Sequence, residues 1–240
     1  MDFQFLQETF LQLLAVFPVT IALFVAAVSI GGLLALILLW MRMHANPVLS
    51  SIAQGYIFVF RGSPLLMQMF LIYYGLGQFG IIRHSVLWPV LRDPFNCAAI
   101  SLALCTAAYT AEVFRGGVKS VPLKEVEAAR AYGMSGFLLW RRIIAPAAFR
   151  QCLPAYSTEL VSMVKATSLA SLVTVWEVTG IANKIISSTY RTFEVFLCAA
   201  LIYLVANFVL IKILNTLESS LMPQRRDPRP TTAKPVRPEA

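Results

Sequence analysis

Long apolar stretches without charged side chains alternate with shorter charged segments along this chain. No charged residue occurs within 9–41 or within 94–111. Residues 154–175 carry only two charged side chains, Glu159 and Lys165, and residues 195–211 carry none. A helix needs about 20 predominantly apolar residues to cross a bilayer. The pattern therefore predicts an all-α integral membrane protein with about five transmembrane helices, at 16–40, 52–74, 94–111, 154–175 and 195–217.

The second predicted span is interrupted by the polar sequence Arg61-Gly62-Ser63-Pro64. Pro64 lacks a backbone donor and bends a helix. An arginine at membrane depth usually faces the interior of a helix bundle or water. Arg61 is therefore either part of a polar path or a structural residue that reaches the membrane surface or caps backbone carbonyls.

Composition and the distribution of charge set the class and the topology. Of the residues, 58% are hydrophobic and 13% are charged, whereas soluble domains have about 45–50% and about 25%. Arg42, the segment 115–150 and the segment 218–240 carry thirteen of the twenty Lys and Arg side chains. Because cations collect on the cytoplasmic side, we expect the N-terminus outside and the C-terminus in the cytoplasm. The net charge of +8 then reflects topology, and nucleic acid is not an expected partner.

This topology divides the chain into three parts. Residues 1–15 form an external N-terminal lead-in, and residues 16–217 form the membrane domain, with a cytoplasmic loop at about 120–146. Residues 218–240 form a cytoplasmic tail rich in Pro and Arg, for which the composition predicts disorder.

The residues that usually carry catalysis or bind cofactors are sparse. The four cysteines form no CxxC pair and no Cys/His cluster, so we expect neither a metal site nor disulfides. The sequence Gly117-Val118-Lys119-Ser120 lacks the spacing of a phosphate-binding loop. Both histidines lie in predicted loops. We therefore expect that the chain is not an enzyme, has no catalytic residue and binds no cofactor.

The cytoplasmic loop contains a predicted short helix. Pro122 suits a first helical turn, and Glu125 and Glu127 lie where carboxylates favour the helix dipole. Three alanines follow, which are strong helix formers, and Gly133 suits a left-handed cap. A helix with such small side chains can dock in a groove of another protein, although a plain surface loop remains the alternative.

The same loop resembles the EAA motif of ABC importer permeases, E-A-A-x3-G-x9-I-x-L-P. The matching positions are Glu127, Ala128, Ala129, Gly133, Ile143 and Pro146, whereas Ala145 replaces the leucine. The sequences Phe60-Arg61-Gly62-Ser63-Pro64 and Lys165-Ala166-Thr167-Ser168-Leu169 resemble the polar amino-acid permeases. The resemblance covers about 19–217 and is strongest to the M-type permeases of the histidine and opine branch.

The resemblance implies the transmembrane domain of a type I ABC importer in a bacterial inner membrane. It implies a second homologous permease, two ATP-binding cassette subunits that hold ATP and Mg²⁺, and a periplasmic solute-binding protein as partners. The implied residues of ATPase coupling are Glu127, Ala128, Ala129 and Gly133. The implied solutes are histidine, arginine, lysine, octopine or nopaline.

A substrate path is the least specified expectation. Arg61 could bind a carboxylate, with Gln68 or Glu159 nearby, or these side chains could only tie helices together. Thr158 precedes Glu159 where the family pattern has Asn. The alternative function is a secondary transporter driven by an ion gradient, or a channel.

Overall fold

The computed structural model describes residues 2–222, and within that range the chain folds into helices without any strand. The α-helices are α1 (Phe3–Met43), α2 (Pro47–Gly62), α3 (Leu65–Phe70), α4 (Gly80–Arg83), α5 (Trp88–Leu91), α6 (Pro94–Lys119), α7 (Leu123–Ala131), α8 (Gly136–Leu139), α9 (Ala145–Ala166), α10 (Val178–Thr189) and α11 (Thr192–Leu221). A π-helical turn, Trp140–Ile144, joins α8 to α9, and 3₁₀ turns, Thr167–Val173, follow α9.

The first helix begins earlier than the pattern of apolar residues predicts. Asp2 caps it by accepting a hydrogen bond from the Phe5 amide, and the helix then continues to Met43 without a break. The residues that we predicted as a lead-in, 1–15, are therefore helical from Phe3 onwards. Its 41 residues correspond to about 60 Å, twice the thickness of the hydrocarbon core.

Three helices in the described part of the chain are individually long and apolar enough to cross a membrane, namely α1, α6 and α11. The other two predicted spans correspond to bent helix pairs. Leu65–Gln78 turns by 104° from α2, and α10 turns by 48° from Gly136–Val173. The structure reaches five crossings only if each bent pair counts as one.

The segments between predicted spans and the tail contain further helices. Residues 176–193, between the fourth and fifth predicted spans, contain the helix α10. Residues 75–93, between the second and third predicted spans, contain the short helices α4 and α5. The start of the predicted tail is helical, because α11 continues to Leu221. The disorder predicted for 218–240 is therefore wrong for 218–221, whereas 223–240 lie outside the described residues.

The core is built around α6, which packs against both α1 and α9. Small side chains allow the close approach of α1, since a Cβ on Gly31 would overlap Thr106 and the Ala103 carbonyl oxygen. Membrane helices commonly pack through such small residues. At Gly32, the next residue, an added Cβ would meet no atom within 4 Å. One face of α1 is therefore packed and the adjacent face is open.

Gly117→Ala is expected to destabilise the protein by about 1–3 kcal/mol through overpacking. The added methyl group would lie 2.7 Å from the Ala148 carbonyl oxygen and 2.8 Å from Cys152 Cβ, both on α9. Gly116→Ala is the matched control, because a Cβ there meets no atom within 4 Å. The midpoint of thermal aggregation of the solubilised protein should fall only for Gly117→Ala. Equal midpoints for the two variants would contradict close packing of α6 on α9.

Candidate functional site: the cytoplasmic helix and the polar break

The predicted helix of the EAA motif is present as α7, with its ends shifted slightly from the predicted ones. Pro122 is the N-cap, with extended backbone angles, and not a residue of the first turn. Gly133 has φ +81°, so the predicted left-handed cap is confirmed. The Met134 amide donates to the Ala129 carbonyl at 3.0 Å, which satisfies a carbonyl at the helix end.

The motif residues occupy different faces of α7. Glu127 and Ala128 are exposed, whereas Ala129 is 5% exposed and packs against the rest of the chain. Leu123 and Tyr132, at the two ends, are 75% and 86% exposed. The outer surface of α7 therefore offers a carboxylate, a small side chain, a leucine and a tyrosine that are all largely exposed in residues 2–222.

A long helical segment connects α7 with the membrane domain. Only Tyr132–Ser135 separate the end of α7 from Gly136–Val173, which is helical through the π-helical turn and α9. Ile143 and Pro146 of the motif lie within this segment. The predicted loop 120–146 therefore contains the helix α7, a short turn and the start of a long helical segment.

The polar sequence of the second predicted span forms the break between α2 and α3. The side-chain Nε2 of Gln68 donates to the Phe60 carbonyl oxygen at 2.9 Å and to the Ser63 carbonyl oxygen at 3.1 Å. It also lies 2.9 Å from Ser63 Oγ. Gln68 is buried, and its Oε1 has no hydrogen-bond partner in the described residues. The Gln68 side chain therefore holds the break in shape and positions the residues before it, including Arg61.

Arg61 and Glu159, from different helices, both contact α6, whereas Gln68 does not bond to either. The Arg61 guanidinium lies 5.1 Å from the centre of the Tyr109 ring of α6, within the range of a cation–π interaction. Glu159 of α9 accepts a hydrogen bond from Thr106 Oγ1 of α6 at 3.3 Å. Tyr109 and Thr106 are three residues apart on α6 and therefore lie on one face of that helix. Arg61 and Glu159 offer one cation and one carboxylate.

A second charged cluster, which the sequence pattern did not reveal, adjoins Arg61. Glu112 accepts from Arg115 at 3.0 and 2.9 Å and from Arg42 at 3.5 Å. Arg42, Arg61, Tyr109 and Glu112 line one groove of 480 Å³. The spacing of Glu112 and Arg115 on one helix was a detectable signal, but the third member comes from α1, 70 positions earlier.

Glu177 is a fully buried carboxylate that the sequence pattern also did not reveal. It caps α10 by accepting from the Gly180 amide at 2.9 Å, and it accepts from Tyr203 Oη of α11 at 2.7 Å. Thr20 Oγ1 of α1 lies 3.5 Å away. Glu177 thus joins three helices. Glutamate is not among the residues preferred at an N-cap, so residue type offered no signal for this role.

Comparisons with known proteins support the family that the EAA motif indicates. The family of binding-protein-dependent transport system inner membrane components matches residues 27–222. The octopine transport system permease protein OccM of Rhizobium radiobacter is 52% identical over 231 residues, which cover 96% of this chain and 94% of that protein. The histidine/lysine/arginine/ornithine transport system permease protein HisM of Salmonella typhimurium is 40% identical over 201 residues, which cover 83% and 86%.

A solved structure extends the likeness to three dimensions. It is described as a crystal structure of an amino acid ABC transporter with histidines, and the aligned chain has 33% identity and a TM-score of 0.82. The alignment covers 92% of this chain and 99% of that chain. The chain therefore belongs to the family of binding-protein-dependent transport system inner membrane components, in its histidine and opine branch of M-type ABC permeases.

Proposed function

We propose that this chain is a permease subunit of an ATP-driven, binding-protein-dependent importer for a polar or basic amino acid or an opine. Its relatives are named for octopine and for histidine, lysine, arginine and ornithine. The proposed location is the bacterial inner membrane, with the N-terminus outside. The C-terminus and α7 then lie in the cytoplasm, on the side to which the distribution of cations assigns them.

The proposed assembly contains four further components. A second, homologous permease completes the translocation path, and a periplasmic solute-binding protein delivers the solute. Two ATP-binding cassette subunits hold ATP and Mg²⁺ and dock on the permeases. This chain then binds no cofactor itself and hydrolyses no ATP.

The observation that carries the proposal is the exposed helix α7 and its short connection to a long helical segment. Glu127 and Ala128 supply a charge and a close-contact surface for an ATP-binding subunit. Ala129 fixes α7 against its own chain, and Gly133 turns the backbone at its end. Closure of the ATP-binding subunits would displace α7, and Gly136–Val173 would transmit that displacement to the membrane.

Reconstitution of the complete transporter tests this proposal. Uptake into proteoliposomes should require ATP, both cassette subunits and the solute-binding protein. A cysteine at Glu127 or Ala131 should form cross-links to an ATP-binding subunit, and a cysteine at the exposed Gly55 of α2 serves as the control. Uptake that this chain supports alone and that follows an ion gradient would refute the proposal and favour a secondary transporter or channel.

The proposed substrate path passes between α2, α6 and α9. Arg61 would bind the solute carboxylate, and Glu159 would bind an ammonium or guanidinium group, because charge-assisted hydrogen bonds are the strong ones. Gln68 would act on the path only through the shape of the break. The support is that Arg61 and Glu159 contact α6 at Tyr109 and Thr106, three residues apart on one face of that helix.

Arg61→Lys is expected to lower uptake efficiency about tenfold or more, since lysine keeps the charge but loses bidentate carboxylate binding. Gln68→Ala is expected to lower the amount of assembled transporter instead. Uptake kinetics and the yield of intact complex separate the two effects. Arg83→Lys, at the end of α4, is the matched control. Normal solute affinity together with poor assembly in Arg61→Lys would rule out its ligand role.

A further inference from the structure

Two adjoining cavities form one apolar groove between the second half of α1 and the start of Gly136–Val173. Their volumes are 420 and 730 Å³, and Leu36, Leu39 and Trp140 line both of them. We call the combined space the α1 groove. One end reaches His44, and the other reaches Gly32.

The α1 groove runs along the axis of α1. Gly32 and Trp40 are eight residues apart on one helix, which corresponds to about 12 Å. Both Trp40 and Trp140 line its wider part, and tryptophans gather where the membrane meets water. The narrower part then extends into the hydrocarbon region. At Gly32 the space is open, because an added Cβ meets no atom within 4 Å.

Two arginines follow a lining residue of the wide part of the α1 groove. Arg141 and Arg142 directly follow Trp140, and both are exposed. Arg141 lies four residues after Phe137, which lines the groove, although neither arginine itself lines either cavity. Neither cavity is lined by an aspartate or a glutamate of the described residues. The groove thus combines an apolar interior with two exposed cations that directly follow its lining residue Trp140.

We propose that the α1 groove binds one anionic phospholipid from the leaflet on the side of α7. An acyl chain lies alongside Gly32 and Leu36, and the headgroup phosphate pairs with Arg141 and Arg142. Juxtamembrane cations attract anionic lipids in this manner, and arginine pairs with phosphate in bidentate form. The bound lipid braces α1 against the start of the segment that carries α7. Anionic lipid would therefore support the movement of that segment.

The complete transporter, purified in mild detergent, provides the first test. Phosphatidylglycerol and phosphatidylcholine that copurify after exchange into mixed micelles are counted by mass spectrometry. Gly32→Trp should fill the groove and lower retained phosphatidylglycerol about tenfold or more, as should the pair Arg141→Gln and Arg142→Gln. Gly55→Trp on α2 is the matched control, since a Cβ there also meets no atom within 4 Å.

Nanodiscs of phosphatidylcholine alone, or with phosphatidylglycerol added, provide the second test. Binding-protein-stimulated ATP hydrolysis should rise with phosphatidylglycerol in the wild type and in Gly55→Trp, but not in Gly32→Trp. Three results would overturn the proposal: unchanged phosphatidylglycerol in Gly32→Trp, equal retention of both lipids by the wild type, or cross-links from Leu36→Cys to the second permease in place of lipid.

Discussion

Gly133→Asp is expected to lower ATP-driven uptake about 100-fold or more, while the partner subunits still hydrolyse ATP. Aspartate tolerates the left-handed conformation that Gly133 adopts at φ +81°, so the backbone is preserved. The new carboxylate lies at the negative end of the α7 dipole and in the surface proposed to dock on the ATPase. An unpaired charge buried in an interface costs about 2–5 kcal/mol. Uptake and ATP hydrolysis in proteoliposomes are the measurements.

Gly133→Asn separates the charge from the shape of the side chain. Asparagine has nearly the same size, adopts the left-handed conformation and carries no charge. We expect it to retain most of the uptake activity. If Asn impairs transport as much as Asp does, the added volume and not the charge disrupts docking. Wild-type uptake by Gly133→Asp would exclude this surface of α7 from the ATPase interface.

Glu177→Ala is expected to destabilise the protein by about 3 kcal/mol, which would be the largest stability loss among the variants described. The substitution removes the acceptor of the Tyr203 hydroxyl and of the Gly180 amide at once. Buried donors that lose their partner each cost about 1–3 kcal/mol. The midpoint of thermal aggregation of the solubilised protein should fall, and α10 should become more accessible to protease.

Two further variants test which contact of Glu177 matters. Glu177→Gln keeps the shape and an acceptor oxygen, so its midpoint should lie between those of Glu177→Ala and the wild type. Tyr203→Phe removes one donor but leaves the cap of α10 in place. Its midpoint should therefore fall less than that of Glu177→Gln. A midpoint for Glu177→Ala at the wild-type value would show that Glu177 does not join α1, α10 and α11.

The EAA motif shows which properties neighbouring residues predict and which depend on packing with distant parts of the chain. Its residues identified the family and predicted a helix with a left-handed cap, and both predictions are confirmed. The same residues did not reveal that Ala129 faces its own chain. Helix formation depends on residues within a turn or two, whereas the orientation of α7 depends on what it packs against.

The membrane spans show the same division. The continuous apolar runs predicted α1, α6 and α11, because each run is long enough by itself. The interrupted runs did not predict a turn of 104° after α2. Pro64 makes a helix break there favourable, but the bond from Gln68 to the Phe60 carbonyl and the packing of the two parts set the angle.

The sequence by itself determined the membrane class, the family and the existence of α7, since residue type and short-range spacing decide these properties. Only the tertiary structure brought Arg61 to Tyr109 and Thr106 to Glu159. It also buried Glu177 beside Thr20, 157 positions away. Single helices carry no information about such pairs, because the pairs arise from the way in which several helices bury their small and polar faces together.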